Sequence, residues 1–272
     1  MSMRAGVECM HDSGTMPTMF RRTQVVLLLM PAMLALASPT IGADTDWRDI
    51  EARMQYAWYT EDARDLAAVA DRVTAVPAAE PWRSYYLAWI QLREAQLAFA
   101  HLGSGDAAAA AQHALAGCIS SADEALARRP TDAEVLALQS SCMDLRSRIR
   151  TVGMPFAGSR SRAQMQTALQ LAPKDPRVQL LAAQLSYLNA KSTRERTQLL
   201  GAFQSAVDAF ELERQGLERI PAWGAAEAWQ GLAQVCLDRG DAIAARSALE
   251  HALLLMPDYK TAHRLLDHIL KG

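Results

Sequence analysis

The side chains with the most chemical capacity in this chain are a few histidines, carboxylates and cysteines, and their spacing sets what they can do. His263 and Asp267 lie four residues apart, about one helical turn, so both can reach a single metal ion from one face. His268, five residues from His263, points well round the axis, and His251 has no spacing that makes it converge as a third ligand. His101 and His113 fall on opposite arms of one hairpin, yet no Glu or Cys ligand pattern accompanies them. The neighbouring carboxylates Glu211 and Glu213, or Glu61 and Asp62, sit where helix surfaces, ends and turns account for them through capping and helix-dipole roles. Beyond residue 43 there is no G-x-S-x-G elbow, phosphate-binding loop, dinucleotide fingerprint or H-E-x-x-H pair. The expectation is a chain with no catalytic centre, no metal and no cofactor.

Cys118 and Cys142 stand symmetrically twelve residues before and after Pro130. If the turn at Pro130 folds two helices antiparallel, a rise of ~1.5 Å per residue puts both thiols at one height. Two readings stay open: a disulfide, or two small buried thiols. Cys236 is the odd thiol in either case.

The elements that must carry these residues are helical. Half of the 272 residues are apolar, aromatics make up 6%, and Ala, Leu, Gln, Glu and Arg dominate over strand-forming Val, Ile and Thr. The expected class is all-α. The pattern Ala-Leu-x-x-x-Pro closes a helix three times, at Ala125–Pro130, Ala168–Pro173 and Ala252–Pro257. The separations are 43 and 84 residues, which implies a degenerate unit between the last two, supplied by Ala202, Ala206 and Phe210. Single helices are expected over 82–102, 106–128, 131–150, 160–172, 175–189 and 192–217, with Thr131 and Glu134 forming a capping box. The loop at 151–159, with Gly153, Pro155 and Gly158, leaves Met154 and Phe156 tucked under it or open to a partner.

The clearest unit is Glu227 to Tyr259. Trp229, Leu232, Ala233 and Cys236 share one helix face, Gly240 marks a turn, Ala245, Leu249 and Ala252 share a second face, and Pro257 ends the hairpin. This unit resembles the tetratricopeptide repeat family, with Cys236 where that family usually carries a large aromatic residue. The resemblance implies an α-solenoid of about five antiparallel helix hairpins with a capping helix over Tyr259–Leu270. It also implies a concave groove lined by the first helix of each hairpin, here Glu227, Gln230, Gln234 and Asp238 together with Gln179, Ser186 and Tyr187. An ordinary solvated helix face explains the same polar rows.

The first 43 residues read as a separate segment, with the repeat domain spanning 44–272. Arg21 and Arg22 precede an apolar run over Val25–Ala37, too short to span a bilayer, and small residues follow at Ala35, Ala37, Gly42 and Ala43. This is the pattern of a cleavable signal peptide, cut after Ala37 or Ala43, with Met19 as the alternative start. It places the chain in a bacterial periplasm, without stable membrane insertion after the cut. The remainder is near charge balance with no Lys/Arg cluster, which gives nucleic acid no electrostatic footprint. Expected partners are proteins or peptides; an envelope accessory protein with a metal or enzymatic role, and a structural role as an oligomer, are the alternatives.

Overall fold

Asp46 caps the first described helix: its carboxylate accepts the amides of Arg48 and Asp49 at 3.1 and 3.2 Å. The computed structural model describes residues 45–100, 105–149, 157–216 and 219–271. Residues 1–43, expected as a signal peptide, lie outside that set, as do His101, Met154 and Phe156. The described residues form α1 (Trp47–Tyr59), α2 (Ala63–Thr74), α3 (Arg83–Phe99), α4 (Gly105–Arg128), α5 (Ala133–Ile149) and α6 (Ala157–Leu171). There follow α7 (Pro176–Asn189), α8 (Thr193–Thr197), α9 (Leu200–Arg214), α10 (Ala225–Asp238), α11 (Ala242–Leu255) and α12 (Lys260–Lys271). No strand occurs among them, so the class is all-α. No described helix is long and apolar enough to cross a membrane.

Local chemistry sets most of these boundaries. Asp62, Asp175 and Asp241 accept backbone amides at the starts of α2, α7 and α11, and Pro176 opens α7 where a missing N–H costs nothing. Two boundaries depart from the sequence expectation. Asp132, not Thr131, caps α5 by accepting Val135 N–H at 3.1 Å, which releases Glu134 to face inward. The single helix expected over 192–217 is broken. Ser192 Oγ accepts the Glu195 N–H at 3.2 Å and the Glu195 carboxylate accepts the Lys191 N–H at 2.7 Å at the start of the short α8, and the backbone then tightens, Leu199 N–H bonding Arg196 O at 3.0 Å. The short helix holds Arg196 over the Tyr187 ring, its guanidinium 3.7 Å from Asp238.

Helices adjacent in sequence pack on each other along the chain, with α9 taking the place beside α7 that α8 is too short to fill. The alternate helices α1, α3, α5, α7 and α10 also touch in succession. In the seam between α10 and α11, Ala233, Ala245, Leu249 and Ala252 are fully buried, as the small-against-large pattern requires. Trp229 is only half-buried and stacks on His251 at 4.4 Å instead of filling that seam. Gly231 sits where α10 meets α9 so closely that a Cβ would lie 2.1 Å from the Phe203 ring.

The beginning and the end of this helix series meet. Glu61, in the α1–α2 turn, pairs with Arg264 of α12 and accepts Thr261 Oγ1–H at 3.0 Å. The Tyr59 and Tyr259 rings pack edge to face at 4.6 Å. The capping helix expected at an open end therefore rests on the first hairpin.

Candidate functional site

Where the alternate helices converge, the interior is polar. Glu51 of α1, Arg93 of α3, Arg177 of α7 and Glu227 of α10 are all 2% exposed or less. A charge at such depth is tolerated only if it is paired and hydrogen-bonded. Glu227 meets Arg93 at 2.5 Å and accepts Trp58 Nε1–H at 2.9 Å. The Arg93 guanidinium lies over the Trp58 and Trp89 rings at 4.5 and 4.7 Å. Arg177 makes a two-pronged pair with Glu213 at 3.0 and 2.8 Å.

Through this interior runs the stretch Arg219-Ile220-Pro221-Ala222-Trp223, which joins α9 to α10. Arg177 donates to the Pro221 carbonyl, and Glu51 accepts the Ala222 N–H at 2.6 Å while also accepting the Tyr86 hydroxyl at 2.8 Å. Trp223 is fully buried; its indole N–H donates to the Tyr85 hydroxyl at 2.9 Å, and that hydroxyl donates to Glu134 at 2.8 Å. The Trp89 ring lies 5.8 Å from Trp223, with Arg93 on one side at 5.5 Å and Arg177 on another at 6.0 Å. Arg219 reaches Glu213 at 2.7 Å, Glu134 at 3.4 Å and Asp175 at 3.5 Å. The segment ends at Gly224, whose φ of +111° and a Cβ position 2.6 Å from Phe210 leave room for glycine alone.

Burial sets the protonation of this interior. It raises the Glu51 and Glu227 carboxyls, and it pushes Glu134 up to about 8 against the opposing pull of Arg177. Burial also raises the Tyr59 and Tyr85 hydroxyls well above their usual range, so both stay protonated donors.

Two clefts flank the segment. One of about 560 Å³ lies between α1, α9 and α10, reached by Gln55, Tyr59 and Phe210. The other, about 470 Å³, opens between the starts of α3 and α5 and the end of α6, reached by Trp82, Tyr85 and Asp132. Arg219 and Ile220 line both, so the segment is the wall between them.

The seven residues assigned to a groove do not form one open surface. Glu227 is 1% exposed and belongs to the interior, because its position one turn after Trp223 faces Arg93. Tyr187 and Asp238 are brought together, the hydroxyl donating at 2.6 Å. Gln230 and Gln234 are half-buried, Gln230 accepting the Tyr259 hydroxyl at 3.5 Å. Gln179 and the exposed Ser186 bond to carbonyls of their own segment, Pro173 and Ala182. Cys118 and Cys142 are joined as a disulfide between α4 and α5, with Cα atoms 6.4 Å apart, and Cys236 is a buried free thiol. Among the described residues no group of three or more His, Cys, Asp or Glu converges for a metal ion. His263 bonds the Pro257 carbonyl at 2.7 Å, and Asp267 pairs with Lys271.

Arg93 is an interior residue that the sequence reading passed over although a signal for it was there. Tyr85, Trp89 and Arg93 follow one another at four-residue spacing on an apolar face, and a cation on such a stripe marks a buried partner. The role of 219–223 had no periodic signal, since five residues in neither helix nor strand carry no repeat. No family model matches the chain, and no curated protein matches it.

Proposed function

We propose that this chain is a non-catalytic scaffold of the bacterial periplasm that holds a protein or peptide partner, built as a tetratricopeptide-like α-solenoid. In this reading the hairpins are α1/α2, α3/α4, α5/α6, α7/α9 and α10/α11, with α12 as the cap. The observation that carries it is the way the first helices treat the stretch 219–223: they read its backbone, Arg177 taking a carbonyl and Glu51 taking an amide, and they enclose one aromatic side chain. A surface with those groups is equipped to hold an extended peptide.

The test places a photo-crosslinking residue at Gln55, at Gln234 and, as a control, at Ile243 on α11, which is 86% exposed. Illumination of intact cells is expected to give a discrete adduct from the first two positions and none from Ile243. Equal adducts at all three, or none anywhere, would sink the reading.

A further inference from the structure

We propose that Arg219-Ile220-Pro221-Ala222-Trp223 is an internal ligand, seated on the surface where an extended segment of another protein with the same chemistry docks. This inference rests on the protein-binding reading above and adds to it the identity of the motif and its regulation. The motif is an aromatic side chain of indole size, a small residue and a proline before it, and a basic residue four positions ahead of it.

Three observations point the same way. The segment is held by recognition contacts at both backbone and side chains, through Arg177, Glu51, Tyr85 and Glu134, and it packs as neither helix nor strand. It is bounded by a cleft on each side, about 560 and 470 Å³, and its Arg219 and Ala222 are exposed, so only Pro221 and Trp223 are anchored at depth. The surface beneath it also keeps unspent donors: Trp89 Nε1, Arg93 Nε and Arg177 Nε are buried without a hydrogen-bond partner. A surface refined only for packing leaves few such groups, because each costs folding free energy. Donors left over beside a seated segment suit an incoming chain that brings additional carbonyl or carboxylate acceptors.

The tether explains how the site is kept closed. A segment attached at both ends competes at an effective concentration of order millimolar, so a free peptide gains little on the intact chain. Weakening the anchor opens the site. Trp223→Ala removes the indole and leaves its pocket, and the probe is a fluorescein-labelled Arg-Ile-Pro-Ala-Trp peptide with blocked ends, added to the full chain. The variant is expected to bind it at least about tenfold more tightly than the unaltered protein, and an Arg-Ile-Pro-Ala-Ala peptide is expected to bind neither. A folded variant that binds no better than the unaltered protein, or binds both peptides equally, overturns the proposal.

If Trp223→Ala fails to fold, hydrogen exchange of the unaltered protein decides. The Trp223 indole N–H and the Ala222 amide are expected to exchange through a local opening, at least about tenfold faster than the slowest amides of α3 and α10. Exchange of all of them together, only on global unfolding, makes the segment a permanent part of the core and overturns the proposal. An opening segment without photo-adducts contradicts the scaffold reading alone, and adducts with a segment that never opens contradict this inference alone.

Discussion

Glu227 is tied to Arg93, Trp58 and Tyr59, so its removal strands a guanidinium that is 1% exposed. Glu227→Ala is expected to cost about 3–5 kcal/mol, whereas Arg93→Met combined with Glu227→Leu costs less, since a buried pair stabilises little beyond an apolar isostere. Urea unfolding of the three proteins checks this; a single variant with an unchanged midpoint contradicts it. Glu134 carries a pH dependence of definite sign. Its folded value lies near 8 against an ordinary 4.5, so its protonated form favours the fold. That stabilisation is complete below about pH 4.5 and is lost as pH rises through about 8, with a slope of at most ~1.4 kcal/mol per pH unit. Burial raises Glu51, Glu94 and Glu227 in the same direction. The melting temperature is expected to fall between pH 6 and pH 9, and Glu134→Gln to flatten that fall. A melting temperature that rises over the same range contradicts the assignment.

At the scale of elements, two close approaches and one covalent link are decisive. Ala245→Leu overpacks the α10–α11 seam and Gly231→Ala drives a methyl into Phe203, each at an expected cost of about 1–3 kcal/mol. Either variant melting like the unaltered protein contradicts that packing. The disulfide between α4 and α5 closes a separation of 24 residues, and its reduction is expected to cost ~3 kcal/mol. A thiol count on denatured, unreduced protein spanning residues 44–272 is expected to find one, from Cys236; three would remove the bridge. Helix positions were legible wherever an apolar stripe ended in a cap or a proline, as at Asp175–Pro176 and Pro257. The break between α8 and α9 was not, because no glycine or proline lies between them and Arg196 there faces Asp238, a contact between segments far apart in sequence. Glu227 was placed on the groove for a similar reason: a polar residue on a helix reads as solvent-facing, and Glu227 is polar because it meets Arg93 in the interior.

At the scale of the whole molecule, the central claim is that the helix series turns back on itself and closes around its own segment. Four steps between successive first helices at ~8–10 Å each would hold the ends of a straight stack roughly 30–40 Å apart. Here the α1–α2 turn touches α12 through Glu61, Thr261 and Arg264. Spin labels on Ala63 and His263, both exposed, report the difference in a Cys236→Ser background. Electron–electron dipolar spectroscopy is expected to give one narrow distance below about 25 Å, and a distribution centred near or beyond 40 Å would contradict the closure.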